Sequence, residues 1–264
     1  MQTAACTREK RMPTELAVSS RFGGFKPETD HLLRTQNVES SPVLEGMKKA
    51  WVDCKDLTHG LWEIRHHSTL DRIKNLEYPA IDVETFSIAL AEFQDEKKFS
   101  DRAGLFLSAL INNCKDDGFV IHTSHLAEPI DGLGYHNAKS ITVDGNAGDN
   151  LGTEMEGGTI FVNGNAGRWV GARMEDGTVT IGGYACDGIG YAMKGGDIIV
   201  KMGARDFVGE RMKGGTIIVM GNAGSLVGKG MEGGEIHLNG DYVSISDNFV
   251  GDKIFHKKKL IAGK

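Results

Sequence analysis

The chain has no apolar run near the roughly 18 residues that a membrane-spanning helix requires, and its first residues lack a hydrophobic stretch ahead of a small-residue cleavage site. Glu9, between Arg8 and Lys10, also counts against a transit peptide, so the expectation is a soluble, cytoplasmic protein. Cysteine is scarce: Cys6, Cys54, Cys114 and Cys186 are far apart and form no CxxC pair, which excludes a disulfide framework, a zinc knuckle or an iron–sulfur motif. They read as reduced thiols. A basic excess is missing too. The formal net charge is −6, and Lys and Arg cluster only in the closing His256-Lys257-Lys258-Lys259, which disfavours nucleic acid as a main partner. Proline is absent after Pro129, whereas 26 of the 36 glycines lie between Gly145 and Gly240, which divides the 264 residues into two architectures.

What fills the second half is a repeat. Units of 19 residues start at Gly145, Gly164, Gly183, Met202 and Gly221 with no gap between them, and a sixth start appears at Gly240. Four columns are constant: Ala at Ala147, Ala166, Ala185, Ala204 and Ala223; Gly at Gly152, Gly171, Gly190, Gly209 and Gly228; Met at Met155, Met174, Met193, Met212 and Met231; Gly again at Gly158, Gly177, Gly196, Gly215 and Gly234. Two further columns carry aliphatic residues two apart, from Ile160/Val162 to Ile236/Leu238, the period of a strand with one buried face. Leu151, Val170, Ile189, Val208 and Val227 add another inward column.

Such a unit cannot bury its apolar face alone. Stacking coils about 4.8 Å apart pairs each strand with its counterpart and puts like on like. The sequence therefore predicts a right-handed parallel β-helix over 119–264, including a C-terminal cap, with corners at Gly152, Gly171, Gly190, Gly209 and Gly228, where positive φ and close backbone approach favour a residue without Cβ. A leucine-rich horseshoe is excluded because its L-x-x-L-x-L-x-x-N framework is absent. Val120–His122 and Ile141–Val143 read as earlier strands and Ile130–Gly134 as a shortened unit, while Tyr242–Ile245 and Ile254-Phe255 suggest degenerate terminal coils.

Residues 1–44 are polar, of mixed charge and without apolar periodicity, an extended or disordered arm that is either a plain tail or a segment ordering along a partner. Residues 45–118 carry helical spacing at Val83–Phe93 and Ala103–Ile111, with Asp101 as the N-cap of the second helix. This small helical region precedes and caps the first coil.

Chemistry is sparse. The recurrent Gly-x-x-Gly-x-x-x-Gly follows no βαβ unit and has no helix behind it, so it is not a dinucleotide loop. His122, His125 and His136 are weak metal candidates whose spacing matches no metal motif, and His66-His67 reads as surface. No nucleophile–base pair or carboxylate dyad emerges, so the chain is expected to hold no catalytic residue and no cofactor. Specificity resides instead in the variable columns, Asp149, Arg168, Asp187, Asp206 and Ser225 beside Asn150, Trp169, Gly188, Phe207 and Leu226, which form one charged and aromatic strip if they point outward. Arg168, Trp169, Arg173 and Phe207 are the candidate partner contacts, since Trp and Arg are enriched at interface hot spots.

The pattern G-N-A-G-x-x-[LV]-G-x-x-M-x-[GD]-G at Gly145, Gly164 and Gly221 resembles the GXGXG repeats shared by three groups of proteins. These are the C-type subunits of formylmethanofuran dehydrogenase, those of the bacterial formyltransferase/hydrolase complex, and the C-terminal domain of glutamate synthase large subunits. The resemblance covers residues 119–245. It implies a non-catalytic structural subunit docking other proteins in a one-carbon redox or formyl-transfer complex. Molybdenum or tungsten pterin, zinc or iron–sulfur clusters would then sit in the partner subunits. Two alternatives stay open: a glutamate-synthase-type C-terminal subunit supporting amide-nitrogen transfer, and a self-associating scaffold. The first 118 residues match neither the formylmethanofuran nor the glutamate synthase relatives.

Overall fold

The computed structural model describes residues 40–57, 59–248 and 253–263. Among the described residues four helices come first: α1 (Pro42–Asp53), α2 (Trp62–Ile73), α3 (Ala80–Ala89, extended by a 3-10 turn over Leu90–Phe93) and α4 (Phe99–Asn113). The start of α1 is written locally. Ser41 accepts the Leu44 N–H at 3.0 Å and Pro42 occupies the first turn, where a missing N–H costs nothing. This helix begins inside the stretch expected to be an arm; residues 1–39 of that stretch lie outside the described residues. Asp101 is not the cap of α4. Lys98 occupies that position with φ 56°, and the Asp101 carboxylate instead accepts from the Arg65 guanidinium of α2 at 2.7 Å.

The helices share an irregular aromatic core. Trp51, fully buried, meets Phe93, Phe99 and Phe106 with ring centroids 5.5–6.1 Å apart, and the Arg102 guanidinium stacks 4.1 Å from its ring.

From Gly118 the chain winds into a parallel β-solenoid of about seven turns. Its strands β1 (Gly118–His122), β2 (Ser140–Asp144), β3 (Thr159–Val162), β4 (Thr178–Ile181), β5 (Asp197–Val200), β6 (Lys213–Val219), β7 (Gly233–Leu238) and β8 (Lys253–His256) pair in chain order, all parallel. The register between regular units is the sequence repeat itself: Ile160 pairs with Val179, Val179 with Ile198, Ile198 with Ile217 and Ile217 with Ile236, each buried. The shortened unit is present, with Ile130 bridging to Ala147, and so are the terminal coils, with Tyr242 bridging to Ala223, Ile245 to Val227, and β8 pairing with β7.

Two glycine columns owe their constancy to neighbours as well as to φ. Gly171, Gly190 and Gly209 have φ of 63–70°, and a Cβ on each would collide with the Cδ1 of Ile198, Ile217 or Ile236 in the next coil. Gly177, Gly196, Gly215 and Gly234 sit against the methyl of the methionine one coil back, so a Cβ would lie 2.6–2.7 Å from Met155, Met174, Met193 or Met212 Cε. The Met column and this Gly column are thus one packing device. Either change alone would open or overfill the same space.

Both ends of the solenoid are covered. At the first coil, α3 runs along β1 and Ser87 Oγ accepts the His122 N–H at 3.0 Å, while Ser108 Oγ of α4 accepts from Gly134 at 2.9 Å and Tyr135 at 3.2 Å. Gly104 allows this contact, because a Cβ there would overlap the Asp131 carbonyl. At the far end β9 (Lys259–Ala262) folds back antiparallel on β8 through Lys257 and Lys258, both with positive φ. Among the described residues no helix is long and apolar enough to cross a membrane.

Of the thiols, Cys54 and Cys114 are free and buried, as the reading of reduced cysteines expects, and Cys186 is buried too; Cys6 lies outside the described residues.

Candidate interaction surface

Within each coil the backbone alternates. The column of Asn150, Trp169, Phe207 and Leu226 has φ of 56–62°, the corner glycine two residues on has φ of 63–71°, and the column of Glu154, Arg173, Ala192 and Arg211 two residues further has φ of 52–56°. Each left-handed residue reverses the sense in which its peptide faces the stack. Trp169 N–H therefore donates up to Asp187 O at 2.9 Å, Gly171 N–H down to Leu151 O at 2.8 Å, and Arg173 N–H up to Tyr191 O at 2.8 Å. Donors two residues apart thus bond to opposite neighbours, while Ala172 N–H and Met174 N–H close turns inside the coil on Trp169 O and Gly171 O, both at 3.2 Å.

The same alternation leaves the variable residues outside. Trp169 is 42% exposed and Leu226 38%, with Arg168 and Arg173 exposed and Phe207 half-buried. The indole of Trp169 lies over Gly188 of the next coil, where a Cβ would come within 2.7 Å of Cδ1, so Gly188 is what lets the ring lie flat. Lys229 Nζ stands 5.0 Å above the Phe207 ring. Arg173 holds Glu154 at 2.6 Å through both Nε and Nη2. Thus Arg168, Trp169, Arg173 and Phe207 are brought onto one surface. Arg211, bonded to the Tyr191 hydroxyl at 3.2 Å, and Lys229 extend it, and their place in the repeat was the signal for both.

The acidic members of the strip behave differently. Asp131 Oδ1 accepts the Asp149 N–H at 2.7 Å, Asp149 Oδ1 the Arg168 N–H at 2.7 Å, Asp187 Oδ1 the Asp206 N–H at 3.2 Å, and Asp206 Oδ1 the Ser225 N–H at 2.6 Å. Asn146 and Asn165 do the same in a parallel row. These side chains are rungs between coils. The outward cations are themselves paired: Arg168 and Arg205 lie 3.8 and 3.5 Å from Asp187, and Lys229 lies 3.1 Å from Glu210.

The three candidate metal ligands are not assembled. His122 is held between Glu84 at 2.9 Å and Asp144 at 3.1 Å, His125 contacts the Ile88 carbonyl at 3.1 Å, and His136 lies between Glu154 at 3.3 Å and Glu156 at 2.8 Å. Among the described residues no group of three or more His, Cys, Asp and Glu could hold a metal ion. His66 corrects the surface reading: it is 4% exposed, beside Tyr135 and Asn112, at the seam between α2 and the first coil. Burial, helped by the nearby His136 and His67 charges, lowers its pKa to about 4. His67 remains exposed.

No family model matches the chain, and no curated protein matches it.

Proposed function

We propose that this protein is a non-catalytic structural subunit of a cytoplasmic, formylmethanofuran-dehydrogenase-like one-carbon complex, in which the metal- or cofactor-bearing chains dock on its solenoid. The observation that carries the docking role is Trp169, held 42% exposed by a fixed left-handed backbone and flanked by Arg168 and Arg173. An aromatic fixed before binding loses little side-chain entropy on contact, and Trp beside Arg is the composition of interface hot spots. The assignment to one-carbon chemistry rests on the resemblance of the repeat alone.

The test is purification of the tagged full-length chain from its native cells, beside the variant Arg168→Asp/Trp169→Asn. Both replacements copy residues that the first unit carries at the same columns, Asp149 and Asn150, so the coil is expected to keep its rungs and its left-handed turn. The expected result is co-elution with a molybdenum, tungsten or amidohydrolase chain, reduced at least about tenfold in the variant. Recovery as a lone chain would overturn the proposal. Co-elution with a flavin and iron–sulfur synthase would replace it with the glutamate-synthase reading.

A further inference from the structure

Two identical dipeptides, Asn163-Gly164 and Asn239-Gly240, stand at the same corner of the solenoid, directly after β3 and β7, and they are the chain's only Asn-Gly pairs. Both asparagines are exposed. Asn-Gly is the pair most prone to lose the side-chain amide, because glycine has no Cβ to hinder the ring that must close between the two residues. The flanking backbone is bonded alike at both. Asn163 and Asn239 donate their N–H groups to Val143 O at 3.0 Å and Val219 O at 2.9 Å. Two residues on, Asn165 and Asp241 donate theirs to Asn146 Oδ1 at 2.8 Å and Asn222 Oδ1 at 2.9 Å.

The N–H between those flanks is where the two corners differ. Gly164 N–H donates to Gly145 O at 2.9 Å, and this ladder continues with Gly183 on Gly164 at 2.8 Å and Met202 on Gly183 at 3.2 Å. Gly240 N–H has no protein acceptor among the described residues. That nitrogen is the nucleophile of deamidation, and it attacks only once its proton is removed. A donor bonded in the stack keeps its proton and is released by a local opening of the coil. At Gly240 no such bond has to break. The side chain that is attacked is also loosely held: Asn239 Nδ2 donates to Met220 Sδ at 3.2 Å, and a thioether is a weak acceptor.

We infer that Asn239 is a site of spontaneous deamidation and that Asn163 is protected by the ladder bond of Gly164. Gly240 N, its proton taken up by a solvent base, bonds to Asn239 Cγ, and the Cγ–Nδ2 bond breaks with release of ammonia. Water then opens the cyclic imide. Cleavage between N and Cγ leaves aspartate, whereas cleavage between N and the Asn239 main-chain carbonyl leaves isoaspartate, with the chain running through Cγ. The change falls between two ties of the closing hairpin, Lys257 N–H on Leu238 O at 2.9 Å and Lys257 Nζ on Asp241 Oδ1 at 3.1 Å. The site is independent of the Arg168–Trp169 surface.

Prolonged incubation of the folded full-length protein at mildly alkaline pH tests it, read by peptide mass spectrometry and by labelling with an isoaspartyl methyltransferase. Conversion at Asn239 is expected to run at least about fivefold ahead of Asn163, a ratio within what opening one stacked hydrogen bond supplies. In urea, where the ladder is gone, the two sites should convert at similar rates. Asn239→Gln, whose longer side chain would have to close a larger ring, should carry no isoaspartate label on that peptide. Equal conversion of the two sites in the folded protein, or none at Asn239, would overturn the proposal. A preference for Asn239 that persists undiminished in urea would overturn it as well, because the choice would then lie in the neighbouring sequence and not in the stack.

Discussion

The helices from Pro42 to Asn113 and the coils after them bury polar groups by opposite means. In the helical part, charge goes inside: Arg65 and Arg102 are about 5% exposed, each held by one carboxylate from elsewhere in the chain, Asp101 or Glu96. In the regular coils, no Lys, Arg, Asp or Glu is fully buried, and the interior is Met, Val, Ile, Leu and Ala, with Cys186 and the Thr153 hydroxyl beside them. Polar demand there comes mostly from the backbone and is met by the adjacent coils, by turns within the coil, or through the Asp and Asn rungs. The helical core is a set of contacts each made once; the solenoid is one contact set made repeatedly. A defect in the first is local, whereas a defect in the second breaks a continuous ladder.

The largest effect expected from that difference is at a corner. Gly190→Val forces a β-branched residue to φ 67° and drives its side chain into Ile217 Cδ1 of the neighbouring coil, so two independent penalties add. A loss of at least about 4 kcal/mol is expected in chemical denaturation. Lys194→Val, four residues away, removes a 2.6 Å pair with Glu175 that is half-exposed on both sides, and should cost under about 1 kcal/mol. Comparable losses would mean that the corner geometry does not hold the stack.

This contrast also explains what the sequence could reveal. A contact made repeatedly prints its own period: the coil length, the strand pairs, the corners and the variable Arg168–Trp169 columns could be read from constant and variable positions, while the outward direction of those columns came from the corner geometry. A contact made once leaves no echo. Nothing local marks His66 as buried against Tyr135 or Asp101 as the partner of Arg65, because each depends on a distant segment. The turning of Asp149 and Asp206 into the stack falls between these cases. Their column was visible, but an acid outside a corner and an acid bridging to the next N–H have the same sequence.

The seam between the two regions carries a smaller effect with a definite sign. Burial raises the Asp131 pKa from 3.8 to about 6, while its carboxylate bonds the Asp149 N–H. The folded state thus keeps a proton that the unfolded chain loses, and Asp131 makes stability fall as pH rises from about 4 to about 6. His66, with a folded pKa near 4 against 6.5, acts oppositely: the unfolded chain binds the proton first, and stability falls as pH drops from 6.5 towards 4. The two contributions oppose one another across the shared window. Asp131→Asn keeps an oxygen for the Asp149 N–H and should gain about 1–2 kcal/mol over the parent above pH 6 and nothing below pH 4. Denaturation midpoints across pH 4–7 measure this; a pH-independent difference would remove Asp131 as the source.

The smallest prediction tests whether the solenoid's left-handed columns are strained or merely tolerated. Ala192 has φ 52°, and its counterpart one turn of the repeat further than Arg211 is Gly230 at φ 62°, so the column accepts glycine. For alanine the conformation costs about 1 kcal/mol, whereas glycine enters it freely but gives up more entropy on folding. The first term wins where the native φ is positive, and Ala192→Gly should raise stability by about 0.5 kcal/mol. Ala185→Gly provides the opposite sign on the same coil, because Ala185 is 1% exposed, sits in the inward column, bridges to Ala166 and Ala204, and has no positive φ to relieve. It should lose about 1 kcal/mol through a lost methyl and a freer unfolded chain. Matched denaturant melts of the pair read the difference directly. If both variants lose stability equally, the stacked hydrogen bonds do not hold Ala192 against strain, and the alternation of left-handed residues is simply the relaxed shape of this coil.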